Sequence, residues 1–138
     1  MMVFLDTSAF AKRYVAEQGS GKVWEICQQA DSLIVSIICL PELISTFSRL
    51  VREKKLTQAA YQKLKEEVMA DLADADICQI TSEILATVIQ LLESSPLRAM
   101  DALHVACALA TRPDIFVSAD HRQIAAARKA GLEIVDVS

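Results

Sequence analysis

Short apolar segments alternate with helix-like segments along this chain, and this alternation constrains the fold more than any other feature of the sequence. The predicted strands are 2–5, 33–36, 77–80, 115–118 and 133–137. They are short and mostly apolar, which is typical of strands buried on both faces of a parallel sheet. Successive parallel strands need a crossover connection, and helices usually supply it. The sequence therefore predicts an α/β fold with a parallel sheet covered by helices on both faces.

Helices are predicted between these strands from apolar periodicity and from residues that begin and end helices. The predicted segments are 8–17, 20–29 capped by Ser20, about 41–55, a helix capped by Thr57, 82–94, 98–111, and a helix from Asp120 to Gly131. Pro41 suits a first helical turn, whereas Pro96 and Pro113 end the helices before them. No linker or repeat interrupts the pattern. Residues 1–138 are therefore predicted to form one domain that is long enough to bury a core.

Composition and charge narrow the functional classes. No apolar run reaches the roughly 18 residues that a membrane-spanning helix needs, and an acid at position 6 argues against an N-terminal signal peptide. The net charge of −4 argues against bulk attraction to nucleic acid. Four widely spaced cysteines without a C-x-x-C pair predict reduced thiols in a cytoplasmic protein. The hydrophobic fraction of 53% predicts apolar surface that a second copy or a partner covers.

Four acidic residues lie where a predicted strand ends or a predicted helix begins: Asp6, Glu42, Asp101 and Asp120. Three of them closely follow a strand, and open α/β sheets bind ligands beyond the carboxyl ends of their strands. Asp101 begins a helix that is apolar on almost every face and is therefore predicted to be buried. A carboxylate in apolar surroundings needs a partner or a metal ion. Together the four positions predict a carboxylate cluster that binds a cation.

Three of the four acids have a clear structural explanation, which the sequence leaves open, whereas Asp6 after a buried strand is harder to explain in this way. Acids at helix N-termini are stabilised by the helix dipole and by free backbone N–H groups, and this applies to Glu42 in a first turn. Asp120 and Gln123 have the spacing of a capping box. Arg98 lies three residues before Asp101, so the two side chains have the spacing of a helical ion pair.

The chemistry of such a cluster follows from the charge and the hardness of its ligands. Ionised carboxylates that lie close together are costly without a cation. Oxygen ligands favour Mg²⁺ or Mn²⁺ over zinc. A metal ion held in this way polarises a phosphoryl oxygen and generates hydroxide from water. The pattern therefore predicts phosphodiester hydrolysis, in which Asp6, Glu42, Asp101 and Asp120 are both metal ligands and catalytic residues.

Neighbouring polar residues are candidates for supporting roles. Thr7, Ser8 and Ser118 are placed to hydrogen-bond the acids or metal-bound water, although ordinary turn hydroxyls explain them equally well. His104 lies one helical turn after Asp101. It is interpreted as a buried histidine beside the site rather than as a metal ligand.

Four stretches of the chain, in their order and spacing, resemble the PIN-domain family of ribonucleases, and in particular the small VapC-type toxins of prokaryotic toxin–antitoxin pairs. They are LDTSAFAKRYVAEQGS, the P-E-L around Glu42, LRAMDALHVACALA and FVSADHRQIAAARKAGLEIV. Each stretch alone is a weak signal, but together they span nearly the whole chain.

The resemblance implies a three-layer α/β/α domain that binds Mg²⁺ or Mn²⁺ and cuts RNA. The four acids of the family correspond to Asp6, Glu42, Asp101 and Asp120, and the hydroxyl after the first acid corresponds to Thr7. No acid is missing, which favours an active enzyme. The fourth position varies in role within the family, so Asp120 is either a ligand or a helix cap. The resemblance further implies a homodimer and a cognate antitoxin that blocks the site.

An acidic protein that cuts RNA needs local groups of basic residues. Lys12 and Arg13 lie within about two helical turns of the predicted sheet edge, roughly 6–8 Å along the axis. They are predicted to bind RNA phosphates, and a solvated helix face is the alternative. Arg49 and Arg52 lie farther from the edge and are weaker candidates.

Three other functions are compatible with parts of the pattern. A haloacid-dehalogenase-type phosphatase would have a second acid two residues after the first, where this chain has Ser8. A receiver domain would have its phosphorylated aspartate after the third strand, where this chain has Thr81 and Ser82. The remaining alternative is a PIN-like module that binds RNA or a partner without cutting, and only an activity assay distinguishes it from the nuclease.

Overall fold

The five strands of this protein form one sheet, described for all 138 residues by a computed structural model. The strands are Met2–Leu5 (β1), Ser32–Ser36 (β2), Asp76–Cys78 (β3), Ile115–Ser118 (β4) and Ile134–Asp136 (β5). Their order across the sheet is β3-β2-β1-β4-β5, and every neighbouring pair is parallel. The predicted α/β class is therefore confirmed.

Seven α-helices cover the two faces of the sheet. They are Thr7–Phe10 (α1), Ser20–Gln29 (α2), Cys39–Arg52 (α3), Gln58–Ala73 (α4), Ser82–Ser94 (α5), Ala99–Thr111 (α6) and His121–Lys129 (α7). Buried residues of α1–α4 pack on one face, and those of α5–α7 pack on the other. These layers complete the predicted α/β/α arrangement. None of the helices combines the length and the apolar character that crossing a membrane requires.

The central strand β1 is apolar because its side chains alternate between two cores. Val3 and Leu5 pack with α1–α4, whereas Phe4 packs with α5–α7. Phe4 is in register with Phe116 of β4, and their stacked rings have centroids 5.7 Å apart. Burial on both faces therefore explains why β1 lacks the alternation of polar and apolar residues seen in half-exposed strands.

Most predicted elements lie within two or three residues of the observed ones. β1, β4, α2 and α5 have the predicted bounds. α3 begins at Cys39, before Pro41, and ends at Arg52, short of the predicted position 55. Pro41 still lies in the first turn of α3, where backbone N–H groups have no partner within the helix.

The long helix predicted after the first strand is wrong. α1 ends at Phe10, and only a short 3-10 turn continues it. Tyr14 donates a hydrogen bond to Asp71 of α4 at 2.7 Å, and its ring packs edge-on against Phe10. Lys12 is buried, and its amine donates to the carbonyl of Gln18. These tertiary contacts fold the segment back and override its local preference for helix.

Gly19 occupies the N-cap of α2, the role that the sequence predicted for Ser20. Its φ of +90° lies in the region that favours glycine. A Cβ atom at this position would lie 2.1 Å from the carbonyl oxygen of Val137. Glycine therefore allows the loop before α2 to lie against the chain that follows β5.

We expect Gly19→Ala to lower the free energy of unfolding by about 2 kcal/mol or more. A left-handed alanine alone costs about 1–2 kcal/mol, and its Cβ would also displace Val137. Gly21→Ala is the matched control, because no heavy atom lies within 4 Å of an added Cβ in that position of α2. Alanine is the better helix former, so the control should be neutral or stabilising. Urea denaturation measures both, and equal effects would refute this account of Gly19.

Candidate active site

The candidate site lies where β1 and β4 meet at the carboxyl edge of the sheet. From β1 the chain continues to β2 on one side of the sheet, and β4 lies on the other side, so the strand order reverses at this pair. Such a reversal leaves a crevice beyond the strand ends, where open α/β sheets bind ligands. Asp6 follows β1 directly, and its backbone N–H donates to the carbonyl of Val117 in β4 at 3.2 Å.

Asp6 is completely buried, and hydrogen-bond donors surround its carboxylate. The hydroxyl of Ser118 donates to Oδ2 at 2.5 Å, and the hydroxyl of Ser8 donates to Oδ1 at 2.7 Å. The backbone N–H of Ala9 also donates to Oδ1, at 2.9 Å, so Asp6 is the N-cap of α1. Asp6 thus joins the ends of β1 and β4 to the start of α1.

Burial is the main influence on the ionisation of Asp6, and it raises the pKa of this carboxyl group above the ordinary value of 3.8. Hydrogen bonds from Ser118, Ala9 and Ser8 and the charge of His104 act in the opposite direction without cancelling the effect of burial. A carboxylate in such a position is stabilised by any cation that comes close to it.

Glu42 lies in the first turn of α3 and meets Thr7 and His104 at one oxygen atom. The hydroxyl of Thr7 donates to Oε1 at 2.6 Å, and Nε2 of His104 lies 2.5 Å from the same atom. Burial opposes the ionisation of Glu42. The hydrogen bonds from His104 and Thr7, together with the charges of His104 and Arg98, outweigh burial and hold the pKa of Glu42 below its ordinary value. Glu42 is therefore a carboxylate at neutral pH.

His104 is only 1% exposed and lies beside Glu42, in agreement with its interpretation as a buried histidine. Its Nε2 also lies 3.1 Å from the hydroxyl of Thr7, so the three side chains form a triangle of contacts. Its Nδ1 is buried without a hydrogen-bond partner. The imidazole therefore acts on Glu42 through Nε2 and fixes the position of that carboxylate.

Asp101 is buried at the start of α6, and both of its carboxylate oxygens are hydrogen-bonded. Oδ2 accepts from the side-chain Nε of Arg98 at 3.2 Å and from the backbone N–H of Arg98 at 3.3 Å. The ion pair that the sequence left open is therefore present. The side chain of Arg98 is 75% exposed, so solvent screens the pair and it contributes little to stability.

Asp120 caps α7, as the structural explanation of this residue predicted. Its Oδ1 accepts from the backbone N–H groups of Arg122 at 2.9 Å and Gln123 at 3.4 Å. The backbone N–H of Asp120 donates to the hydroxyl of Ser118 at 3.0 Å. The same hydroxyl donates to Asp6, so a single serine connects two of the four acids.

A polar cleft of about 330 Å³ brings together three of the four predicted acids. None of its lining residues is hydrophobic; they are Thr7, Ser8, Glu42, Ser45, Thr46, Arg98, Asp101, His104, Asp120 and Gln123. Asp6 does not line the cleft but is connected to it through the hydroxyl of Ser8. No group of three or more His, Cys, Asp or Glu side chains is close enough to hold a metal ion in this structure.

Sequence analysis missed three residues of the cleft. Gln123 is buried, and its side-chain amide donates to Oδ1 of Asp101 at 3.2 Å instead of returning to the start of its own helix. Only the tertiary fold brings Gln123 to Asp101. Ser45 and Thr46 lie one helical turn after Glu42, and this spacing on one helix face was a signal that the sequence contained.

Lys12 and Arg13 do not line the cleft. Lys12 is buried against the loop before α2. The guanidinium group of Arg13 forms a salt bridge with Asp71 at 3.3 Å and lies 4.9 Å from the centroid of the Trp24 ring. Both side chains therefore have intramolecular partners, and their predicted contact with RNA stays a prediction.

Comparisons with known proteins agree with this architecture. A family model described as the PIN domain matches residues 3–129. FitAcB from Neisseria gonorrhoeae has a TM-score of 0.75 at 16% identity, with 98% of this chain and 97% of that chain covered. A sarcin–ricin loop cleaving VapC toxin from Mycobacterium tuberculosis has a TM-score of 0.70 at 17% identity, with 97% and 98% covered.

A third structure, a toxin–antitoxin complex from Klebsiella pneumoniae, has a TM-score of 0.71 at 14% identity, with 99% of this chain and 98% of that chain covered. No curated protein matches the sequence significantly. At these identities the structural likeness establishes the fold alone.

The raised pKa of Asp6 predicts how stability without added metal depends on pH. Because the folded-state pKa lies above the unfolded-state value, stability falls as pH rises from about 3.8 through the folded-state pKa. Asp6→Asn keeps the shape and removes the charge. We therefore expect this variant to be more stable than the wild type at neutral pH, with a difference that shrinks at acidic pH.

Urea denaturation across this pH range measures the difference between Asp6→Asn and the wild type. Asp74→Asn is the matched control, because Asp74 is an exposed aspartate at the end of α4 and its replacement should change stability little at any pH. An Asp6→Asn variant that is less stable than the wild type at neutral pH would show that hydrogen bonding, not desolvation, dominates at Asp6.

Proposed function

Because this chain belongs to the PIN domain family, we propose that it is a metal-dependent endoribonuclease and the toxin of a toxin–antitoxin pair. The observation that supports this function best is the polar cleft, which Glu42, Asp101 and Asp120 line and which Ser8 connects to Asp6. Apolar small-molecule sites are lined mainly by hydrophobic residues. A cleft without any hydrophobic lining fits a charged phosphodiester backbone instead.

The chemistry of the donor atoms fits Mg²⁺ or Mn²⁺. Carboxylate and hydroxyl oxygens dominate the cleft, and no thiol lines it. We propose that Asp6, Glu42, Asp101 and Asp120 hold the metal after their side chains move closer together than they are in this structure. When bound, the ion supplies Lewis-acid activation of the phosphoryl group and of water. A cation would also offset the burial that raises the pKa of Asp6.

The hydroxyl groups beside the acids have the supporting role in this proposal. Thr7 donates to Glu42, and Ser118 donates to Asp6. These hydrogen bonds hold the carboxylates in fixed directions before RNA binds. Such preorganisation lowers the reorganisation that the reaction requires.

The proposed substrate and partner draw on the structural relatives. The Mycobacterium tuberculosis relative is described as a toxin that cleaves the sarcin–ricin loop, and the Klebsiella pneumoniae structure is a toxin–antitoxin complex. We extend to this chain RNA as the substrate class and an antitoxin protein as the partner. All four cysteines are free, which supports a cytoplasmic location because reducing conditions keep thiols unpaired there.

A second candidate function is a PIN-like module that binds RNA or a partner without cutting. The ion pair between Arg98 and Asp101 favours it, because Arg98 supplies to Asp101 the positive charge that a metal ion would otherwise supply. The exposure of Arg98 argues against it, because a long, solvent-screened side chain is displaced at little cost.

We expect Asp101→Asn to lower the rate of RNA cleavage by orders of magnitude, because the variant loses a charge at the metal site while keeping its shape. The assay uses purified protein without antitoxin, a pool of cellular RNAs, and either Mg²⁺ or EDTA. EDTA should abolish cleavage by the wild type, and Mg²⁺ should raise its melting temperature by mass action.

The exposed residue Asp74 again provides the control, since Asp74→Asn removes the same charge away from the cleft and should keep full activity. Full activity of an Asp6→Asn/Asp101→Asn double variant would refute the proposed site. Wild-type protein that binds RNA without cutting it would instead support the non-catalytic module.

An apolar stripe on α5 supports the homodimer that completes the proposal. Leu85, Ile89 and Leu92 lie on one face of the helix, and their side chains are between 39% and 57% exposed. Exposed apolar patches on small proteins usually mark an interface. We propose that a second copy of the chain covers this stripe through a symmetric contact.

Ile89→Glu is expected to convert the dimer to a monomer, because it places a charge at the centre of the proposed apolar interface. Sedimentation velocity at micromolar concentrations measures the change. Met69→Glu is the control, since Met69 is 51% exposed on α4, away from the stripe. A wild-type protein that is monomeric throughout this range would refute the dimer and leave the nuclease untouched.

A further inference from the structure

A second groove lies outside the acidic cleft, between α7 and the turn that joins α5 to α6. It has a volume of about 370 Å³, and its lining residues are Ser94, Ser95, Pro96, His121, Arg122, Ala125, Ala126 and Lys129. Three of these residues are basic, counting the histidine, and none is acidic. In a protein with a net charge of −4, such a concentration of basic side chains is a local exception.

The two permanent cations of the groove lie along one face of α7. Arg122 and Lys129 are seven positions apart, which is about 10 Å along the helix axis. Ala125 lies between them on the same face, and its small side chain leaves the floor of the groove open. The amine of Lys129 donates to the carbonyl of Ser94 at 3.0 Å, which holds the cation at the opposite rim of the groove.

Neighbouring residues of the same two chain segments line the groove and the acidic cleft. On the side of α7, His121 and Arg122 directly follow Asp120, which lines the cleft. On the other side, Pro96 lies two residues before Arg98, which also lines the cleft. These neighbouring positions place the groove beside the cleft, although the two have no lining residue in common.

We propose that this basic groove binds the sugar–phosphate backbone of the RNA on one side of the bond that is cut. The inference rests on the proposed ribonuclease function and adds the path of the substrate to it. The carboxylates of the cleft repel a polyanion, so binding needs positive charge close by. The spacing of Arg122 and Lys129 corresponds to about three nucleotides of a stacked strand at about 3.4 Å each.

Contacts of this kind position the strand without reading its sequence. Of the basic residues that the sequence suggested, Lys12 is buried and Arg13 is paired with the carboxylate of Asp71. Arg122 and Lys129 are both exposed beside the cleft. The groove therefore provides exposed cations that can contact phosphates, whereas Lys12 and Arg13 do not.

The test measures RNA binding as a function of salt. Arg122→Ala/Lys129→Ala is made in an Asp101→Asn background, so that a short fluorescent single-stranded RNA stays intact in both arms. Each lost phosphate contact flattens the dependence of log K on log salt by about 0.7 for single strands, so two contacts predict a change of about 1.4. In the chain with Asp101 intact, the same two substitutions should raise KM and leave kcat unchanged.

Lys22→Ala/Lys63→Ala is the matched control, because it removes two exposed cations from α2 and α4 on the other face of the sheet. Its salt slope should equal that of the parent. A flattened slope in the groove variant supports the RNA path even if the wild type cuts no RNA, in which case only the nuclease proposal fails. An unchanged slope overturns the RNA path, and an unchanged slope with weaker binding of the antitoxin assigns the groove to a protein partner instead.

Discussion

The burial of one carboxylate at the junction of β1 and β4 is the constraint on which the rest of the site depends. Asp6 has no exposed surface, and a buried carboxylate without hydrogen-bond donors costs several kcal/mol. Ser118 at the end of β4 and Ser8 in α1 supply those donors. Satisfying Asp6 therefore fixes the end of β4 and the start of α1 relative to β1. Thr7, the next residue, is thereby held within reach of Glu42.

Acidic and basic side chains are concentrated in two separate cavities of this protein, and the net charge does not reveal this separation. The acidic cleft concentrates carboxylates at the strand ends, and neighbouring residues of two of the same chain segments line the basic groove beside it. Arg98 lies at the boundary and pairs with Asp101 from an exposed position. A protein with a net charge of −4 thus has a carboxylate-lined cleft with a basic groove beside it. Local arrangement, and not total charge, determines what such a surface binds.

Sequence reasoning succeeded where local pattern and tertiary environment agree. The apolar strands and the caps Thr57 and Asp120 were predictable, because burial and helix capping leave clear local signatures. The prediction that Lys12 is an exposed cation on a helix was wrong. Its amine donates to the carbonyl of Gln18, and no local sequence pattern indicates this contact. Gln123 was interpreted only as part of a cap, because its partner Asp101 becomes a neighbour through the packing of α6 and α7. The sequence thus indicated three acids that line one cleft, while the side chains that orient them depend on contacts between distant segments.

The order of the strands has a consequence for how the protein is made. The bond between Ser118 and Asp6 joins residues 112 positions apart, and β1 pairs with β4 across a similar distance. Contacts between such distant residues form slowly, because a long loop must close first. A nascent chain that has not yet reached β4 lacks Ser118, one of the hydrogen-bond donors to Asp6, and it lacks Asp120 altogether. The site around Asp6 therefore assembles only after β4 has been synthesised and has paired with β1, so the N-terminal segment that carries Asp6 cannot form it alone.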